Sequence, residues 1–385
     1  MSFYEGLLFF CWLFVLLVPA VILGFMEKPL RGYSFFLSLV FIFLVFWSDK
    51  LQLAYLAAFY ALELILVKGY LKLRQKYGRR EGIYYAAVFL ALLPLILCKC
   101  ESFLHVNLFG FVGISYLTFK IMQMIIETYD GVITEIPIFE YSCFILFFPS
   151  LSSGPIDRSK RFHEDFIRTY TRGEYATLLG DGIYKILLGL VYKIVIAALC
   201  FRVMGYFETG KAWYMIVGYA YSYGLYLFFD FAGYSLMAVG TGYILGVRLP
   251  DNFRKPFVSI DIKDFWDRWH ISLSHWFRDF VFSRYIIKCV KKKWFKTRLQ
   301  RASTGFIVNM FIMGMWHGLT FDYLLYGLYH GVLLAITEIY QKKSAFYKRN
   351  KDKKVYRLVS WFVTMQFVMF GFLIFSGRFL QLFTK

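Results

Sequence analysis

The chain has 385 residues, of which 59% are hydrophobic, 22% aromatic and only 18% charged, with mean hydropathy +0.54. Soluble domains run at about 45–50% apolar and about 25% charged, so a soluble enzyme, a disordered chain and a secreted disulfide scaffold are excluded. Lys and Arg outnumber Asp and Glu by 44 to 25, a net +19 that the positive-inside rule explains in a membrane protein with no nucleic-acid partner.

A membrane span takes about 20 mostly apolar residues. In chain order the candidates are Phe3–Phe25, Tyr33–Trp47, Leu51–Val67, Ile83–Cys98 and Phe103–Ile126. Pro137–Ser150, Ala176–Phe201, Ala212–Phe229 and Phe231–Gly246 follow, then Ala302–Leu319, Phe321–Tyr340 and Tyr356–Phe375. The first has no basic n-region and reads as a span rather than a cleaved signal peptide. Four basic loops, Lys68–Arg80, Arg158–Arg172, Arg248–Arg301 and Lys342–Arg357, belong on the cytoplasmic side. Three spans before Lys68 then put the N-terminus outside. The same parity makes Pro137–Ser150 and Phe231–Gly246 partial crossings, broken at FFPSLSSGP (Phe147–Pro155) and FDFAGYS (Phe229–Ser235). Non-helical backbone at membrane depth survives only where protein or water satisfies it, so an internal cavity is expected. The expected fold is all-α and polytopic: one domain over residues 1–385, with about 10–12 membrane helices including two re-entrant segments.

Several polar features have plain structural readings. Asp181 and Lys185 are one helical turn apart and placed to neutralise one another, with Lys193 two turns on. Intramembrane charge is also a default functional signal. Glu63 reads as a packing or snorkelling residue. Six cysteines without a CxxC pair read as free thiols rather than a metal site. GTGYILG (Gly240–Gly246) has no surrounding strand–helix alternation and reads as close helix packing, not nucleotide binding.

The informative segment lies between Arg248 and Arg301, with 14 basic and 5 acidic residues. In DFWDRWHISLSHWFRDFVFSR (Asp264–Arg284), Trp266, Trp269, Leu273, Phe277 and Phe280 recur at three and four residues. That spacing predicts one amphipathic helix at the membrane interface, with His270 bordering its apolar stripe and His275 facing elsewhere. His317 follows fifteen uncharged residues, Ala302–Trp316, and sits at depth or at a cavity mouth. An imidazole there needs a partner or a wet cavity. Gly314 and Gly318 flank it, leaving room for a helix or a substrate. His105, His163, His275 and His330 are read as structural or solvated.

These words occur together. FFPSLSSGPIDR (Phe147–Arg158), FDFAGYSLMAVGTGYILG (Phe229–Gly246), LPDNFRKPF (Leu249–Phe257), DFWDRWHISLS and MGMWHG (Met313–Gly318) stand in the order in which the membrane-bound O-acyltransferase (MBOAT) family carries them. The chain resembles that family over roughly residues 147–331, and within it the branch that D-alanylates teichoic acid. The resemblance implies that His317 is catalytic, with His270 as the second active-site histidine beside a channel through the membrane. It implies no permanently bound cofactor. The donor is D-alanine on the phosphopantetheine thioester of a small acidic cytoplasmic carrier protein, and the acceptor a hydroxyl of teichoic acid or of an intermediate carrier outside. Other membrane proteins of the same system are implied partners. Val281, Phe282, Arg284, Lys291, Lys292 and Lys293 are candidates for docking the carrier by charge and apolar contact, although attraction to anionic lipid explains the lysine run equally well. O-acetylation of an exported polysaccharide, and transport without chemistry, are the alternatives.

Overall fold

The computed structural model describes residues 1–104 and 109–383. The apolar runs fold as helices: α1 (Gly6–Phe25), α2 (Arg31–Phe46), α3 (Lys50–Tyr77), α4 (Glu81–Leu104), α5 (Ile114–Asp130), α6 (Ile138–Leu146), α7 (Ser159–Phe166), α8 (Arg172–Leu190) and α9 (Ala197–Phe207). A π-helical turn, Val191–Ile196, joins α8 to α9. Then come α10 (Trp213–Ile244), α11 (Ile262–Trp266), α12 (Ile271–Phe277), α13 (Ser283–Lys291), α14 (Arg298–His317), α15 (Phe321–Lys343), α16 (Ala345–Asn350), α17 (Lys354–Phe375) and α18 (Arg378–Gln381). Among the described residues, five helical stretches are long and apolar enough to cross a membrane: Gly6–Phe25, Lys50–Tyr77, Glu81–Cys100, Arg172–Phe207 and Lys354–Phe375. With 32, 20 and 23 residues, α10, α14 and α15 also have the length for a crossing at 1.5 Å per residue. The architecture is that of an all-α polytopic membrane protein.

Packing groups the chain into two compact units, Met1–Leu190 with Tyr234–Pro250, and Val191–Gly233 with Asp251–Lys385. In the first unit the expected break after Pro137 is present. The nine-residue α6 ends in a 3-10 turn at Phe148–Ser150, far short of a crossing. Buried Lys120 on α5 caps this break, donating to the carbonyls of Phe144 (2.9 Å) and Ile145 (3.4 Å) and to Ser150 Oγ (3.0 Å). The end of α10 packs on α8 glycine to glycine: a Cβ on Gly240 would lie 2.5 Å from the Gly182 carbonyl oxygen. GTGYILG is therefore a helix contact and a helix stop, with Gly246 at φ +83°.

The second expected break is absent. FDFAGYS lies inside the continuous α10, so Ala212–Phe229 and Phe231–Gly246 form one helix of about 48 Å. One glycine without a proline does not interrupt a helix whose neighbours bury it.

In the second unit, α14 and α15 form a hairpin whose backbones touch. Cβ atoms on Gly314 and Gly327 would lie 2.4 and 2.5 Å from the carbonyl oxygens of Tyr323 and Met310. Lys193 pairs with Asp230 at 2.6 Å, while in the first unit Lys185 Nζ lies over the Tyr243 ring at 5.5 Å.

Candidate active site

The segment 264–284 is not the single amphipathic helix that its periodicity predicts. It runs as α11, a turn through Asp267–His270, α12, a π-helical turn Arg278–Phe282 and then α13. The cause is tertiary. Residues 252–254 lie antiparallel beside 268–271, with Arg254 N donating to the Arg268 carbonyl (3.0 Å) and Ile271 N to the Asn252 carbonyl (2.9 Å). Asn252 Oδ1 also accepts from Ser272 Oγ at 2.6 Å. Backbone groups that would have continued the helix are satisfied laterally. Trp266, Trp269, Leu273 and Phe277 are buried in protein rather than laid on a membrane surface.

His270 sits at this break as the residue preceding α12, with φ 45° and ψ 54°. A left-handed backbone is uncommon for a non-glycine residue and is a form of strain that clusters at functional sites. The side chain is 4% exposed, edge-on to Phe231 with ring centroids 4.7 Å apart. It lies outside the spanning helices, and its burial, together with nearby His317, holds the imidazole well below the usual histidine range. That shift holds the imidazole in its neutral form near neutral pH.

His317 is the last residue of α14 and is half-buried. Its ring is walled by Trp316 (4.6 Å), Phe375 (5.0 Å), Tyr323 (6.0 Å) and Tyr326 (6.3 Å). The room left by Gly314 and Gly318 is taken by α15: Gly314 meets its backbone and Gly318 the Tyr323 ring. The two histidines, 47 residues apart in sequence, thus come within electrostatic reach of one another inside the second unit.

His330 and Trp266 bind the two elements together. Trp266 Nε1 donates to His330 Nδ1 at 3.3 Å, and Tyr326, which faces His317, also lies against His330 with ring centroids 4.7 Å apart. From sequence alone His330 reads as structural or solvated. Its only local signal was a histidine one helix pitch from Tyr326 on an apolar helix. His163 is half-exposed and pairs with Glu140 at 3.0 Å, as a solvated residue would. His105 lies outside the described residues.

A cavity of about 350 Å³ opens between α11, α12 and α14, with Trp266, Met310 and Met313 inside and Lys263, His275 and Arg278 towards its opening. Met313 is one turn from His317. Of the carrier-docking candidates, Phe282 lines this cavity and stacks on Phe306 at 4.9 Å. Val281 and Phe282 are half-buried rather than an exposed apolar flank, and Arg284 is half-buried on the first turn of α13. Lys291, Lys292 and Lys293 are exposed where α13 ends, and the exposed apolar side chains beside them are Ile287 and Val290. Among the described residues, no group of three or more His, Cys, Asp or Glu is arranged to hold a metal.

The sequence profile of the membrane-bound O-acyltransferase family matches residues 22–377. A protein of Bacillus subtilis named teichoic acid D-alanyltransferase is 42% identical, covering 97% of this chain and 98% of that protein. Its namesake in Streptococcus thermophilus is 38% identical over 97% of this chain and 94% of its own length. A probable alginate O-acetylase of Pseudomonas aeruginosa is 34% identical over 70% of this chain and 49% of that protein. With a family match over nearly its whole length, and with both motif histidines gathered in one helical unit, the chain belongs to the membrane-bound O-acyltransferase family and is an acyltransferase.

Proposed function

We propose that this enzyme sits in the cytoplasmic membrane of a Gram-positive bacterium, N-terminus outside. It moves D-alanine from a phosphopantetheine thioester on a small acidic cytoplasmic carrier protein to a hydroxyl of teichoic acid, or of an intermediate acceptor. The observation that carries the reading is the juxtaposition of strained, neutral His270 with His317 at a helix terminus. Similarity over nearly the whole chain to proteins named teichoic acid D-alanyltransferase supports D-alanine as the acyl group and teichoic acid as the end acceptor.

In this reading His317 takes the proton of the acceptor hydroxyl as its oxygen attacks the thioester carbonyl carbon. The imidazolium that forms lies at the negative end of the α14 dipole, which favours the cation. A neutral His270 donates a hydrogen bond to the tetrahedral oxyanion. Collapse breaks the carbon–sulfur bond, and the departing thiolate takes the proton from His317. The products are an ester and a free phosphopantetheine thiol.

The donor arm enters through the cavity between α11, α12 and α14. Exposed Arg278 suits its phosphate, Lys263 being held by Glu338 and Gln341, and Met310 and Met313 line a passage for its thin chain. The carrier docks on the basic C-terminal end of α13, where Lys291, Lys292 and Lys293 attract acidic side chains and Ile287 and Val290 offer apolar contact. Membranes holding the enzyme, supplied in turn with D-alanyl-loaded carrier and with an acetyl thioester, test the reading. D-alanyl ester formation only with the loaded carrier supports it; acetyl transfer without the carrier replaces it with polysaccharide acetylation.

A further inference from the structure

A second, larger cavity of about 970 Å³ lies in the same unit, between α15, α16 and α17, away from both histidines. Its walls are Leu333 and Ile336 of α15 and Val359, Val363 and Phe367 of α17. From Lys353 to Phe367 the groove follows α17 for about 21 Å at 1.5 Å per residue, a long narrow apolar trough. Its rim has the opposite character. Lys351, Lys353 and Arg357 line it, exposed, with Asp352 between the two lysines. The surrounding stretch, residues 342–357, holds eight basic residues and one acidic residue. Tyr340 and Tyr356, which share a hydrogen bond at 3.3 Å, also line the groove, and tyrosines of this kind suit a membrane–water boundary. Lys353 precedes α17 and offers no side-chain acceptor, so the first N–H groups of that helix add to the positive field at the rim.

We infer that this groove binds an anionic glycerophospholipid, with its phosphate held by Lys351, Lys353 and Arg357 and an acyl chain laid along α17 between α15 and α17. A soluble anion has no use for the trough, and a folded acidic protein cannot enter a slot bounded by two helices. A lipid matches both parts at once. The site also touches the catalytic region. Asp261 lines the groove and begins α11, accepting from Lys263 N and Asp264 N (both 2.9 Å), and Gln341 Nε2 of α15 donates to it at 3.0 Å. Four residues into α11 is Trp266, the partner of His330. A bound lipid therefore braces the start of α11.

The test uses the purified full chain in detergent and reads its unfolding temperature with phosphatidylglycerol or phosphatidylcholine of identical chains. It requires no knowledge of the acyl donor and stands apart from the proposed activity. Phosphatidylglycerol should raise the unfolding temperature more than phosphatidylcholine. The variant K351Q/K353Q/R357Q should equalise the two lipids, and Val363→Trp, which fills the trough and leaves the charges, should blunt the response to both. Equal shifts in the unmodified chain would overturn the inference, as would a phosphatidylglycerol preference that survives both variants. So would glycerol phosphate or inorganic phosphate reproducing the shift.

Discussion

Trp266 Nε1 donates a hydrogen bond to His330 Nδ1 at 3.3 Å, joining α11, which leads into His270, to α15, which packs against the helix carrying His317. The contact is buried on both sides, with Trp266 7% and His330 1% exposed. It links the two histidine-bearing elements, and in the proposed mechanism that makes both side chains positioning residues.

Removing either end of that brace should cost one neutral hydrogen bond, about 1 kcal/mol, or about fivefold in rate. His330→Phe and Trp266→Phe should each lower kcat with little change in KM, and the double variant should be no slower than the slower single one. His330→Gln retains an acceptor and should recover part of the loss. Fully additive losses in D-alanyl transfer by isolated membranes would show that the two side chains act separately.

Gly371 is what allows His330 to lie where it does, since a Cβ there would come 2.4 Å from His330 Nε2. Gly371→Ala should destabilise the protein by about 1–3 kcal/mol through overpacking, seen as a lower unfolding temperature. Adding His330→Ala should relieve the clash, leaving the double variant more stable than Gly371→Ala alone. A Gly371→Ala protein as stable as the unmodified one would contradict this packing.

Lys120 ties down the end of α6 through three acceptors. Lys120→Met should strand at least one buried carbonyl and cost about 1–3 kcal/mol of stability, measured by thermal unfolding in detergent. An unchanged unfolding temperature would mean that the break in this segment is held elsewhere.

Backbone and imidazole can be separated at His270. Asn tolerates left-handed φ well, whereas Ala does so at a cost of about 1–2 kcal/mol. His270→Asn should therefore unfold near the unmodified temperature and His270→Ala below it. Both should lose transfer by about 10²–10³-fold, the usual effect of removing an oxyanion donor. Normal transfer by a folded His270→Asn protein would take His270 out of the chemistry.

The parts of this molecule legible in its sequence were those fixed by local pattern. Apolar runs gave the helices, Pro137 with the FFPSLSSGP stretch gave a true break, and the WHISLS and WHG words pointed to the two histidines that the fold brings together. What local pattern hid was set by distant partners. The stripe Trp266–Trp269–Leu273–Phe277 has helical spacing, yet residues 252–254 pair with its backbone and turn it at His270. FDFAGYS looks like a break but continues as helix, because the glycine carries no proline beside it. Lys120 was masked by its apolar neighbours, although a lysine amid Leu117–Ile126 was the one charge in that run. The Trp266–His330 bond joins residues 64 apart, and no spacing rule reaches that far.

The central claim is that His317 takes the acceptor proton, and it is tested most directly by alkali-labile D-alanine ester on teichoic acid. Cells lacking their own enzyme would carry either the unmodified chain or His317→Ala, matched for membrane abundance. Ester should form with the former and stay at background with the latter. Equal ester in both strains would contradict it.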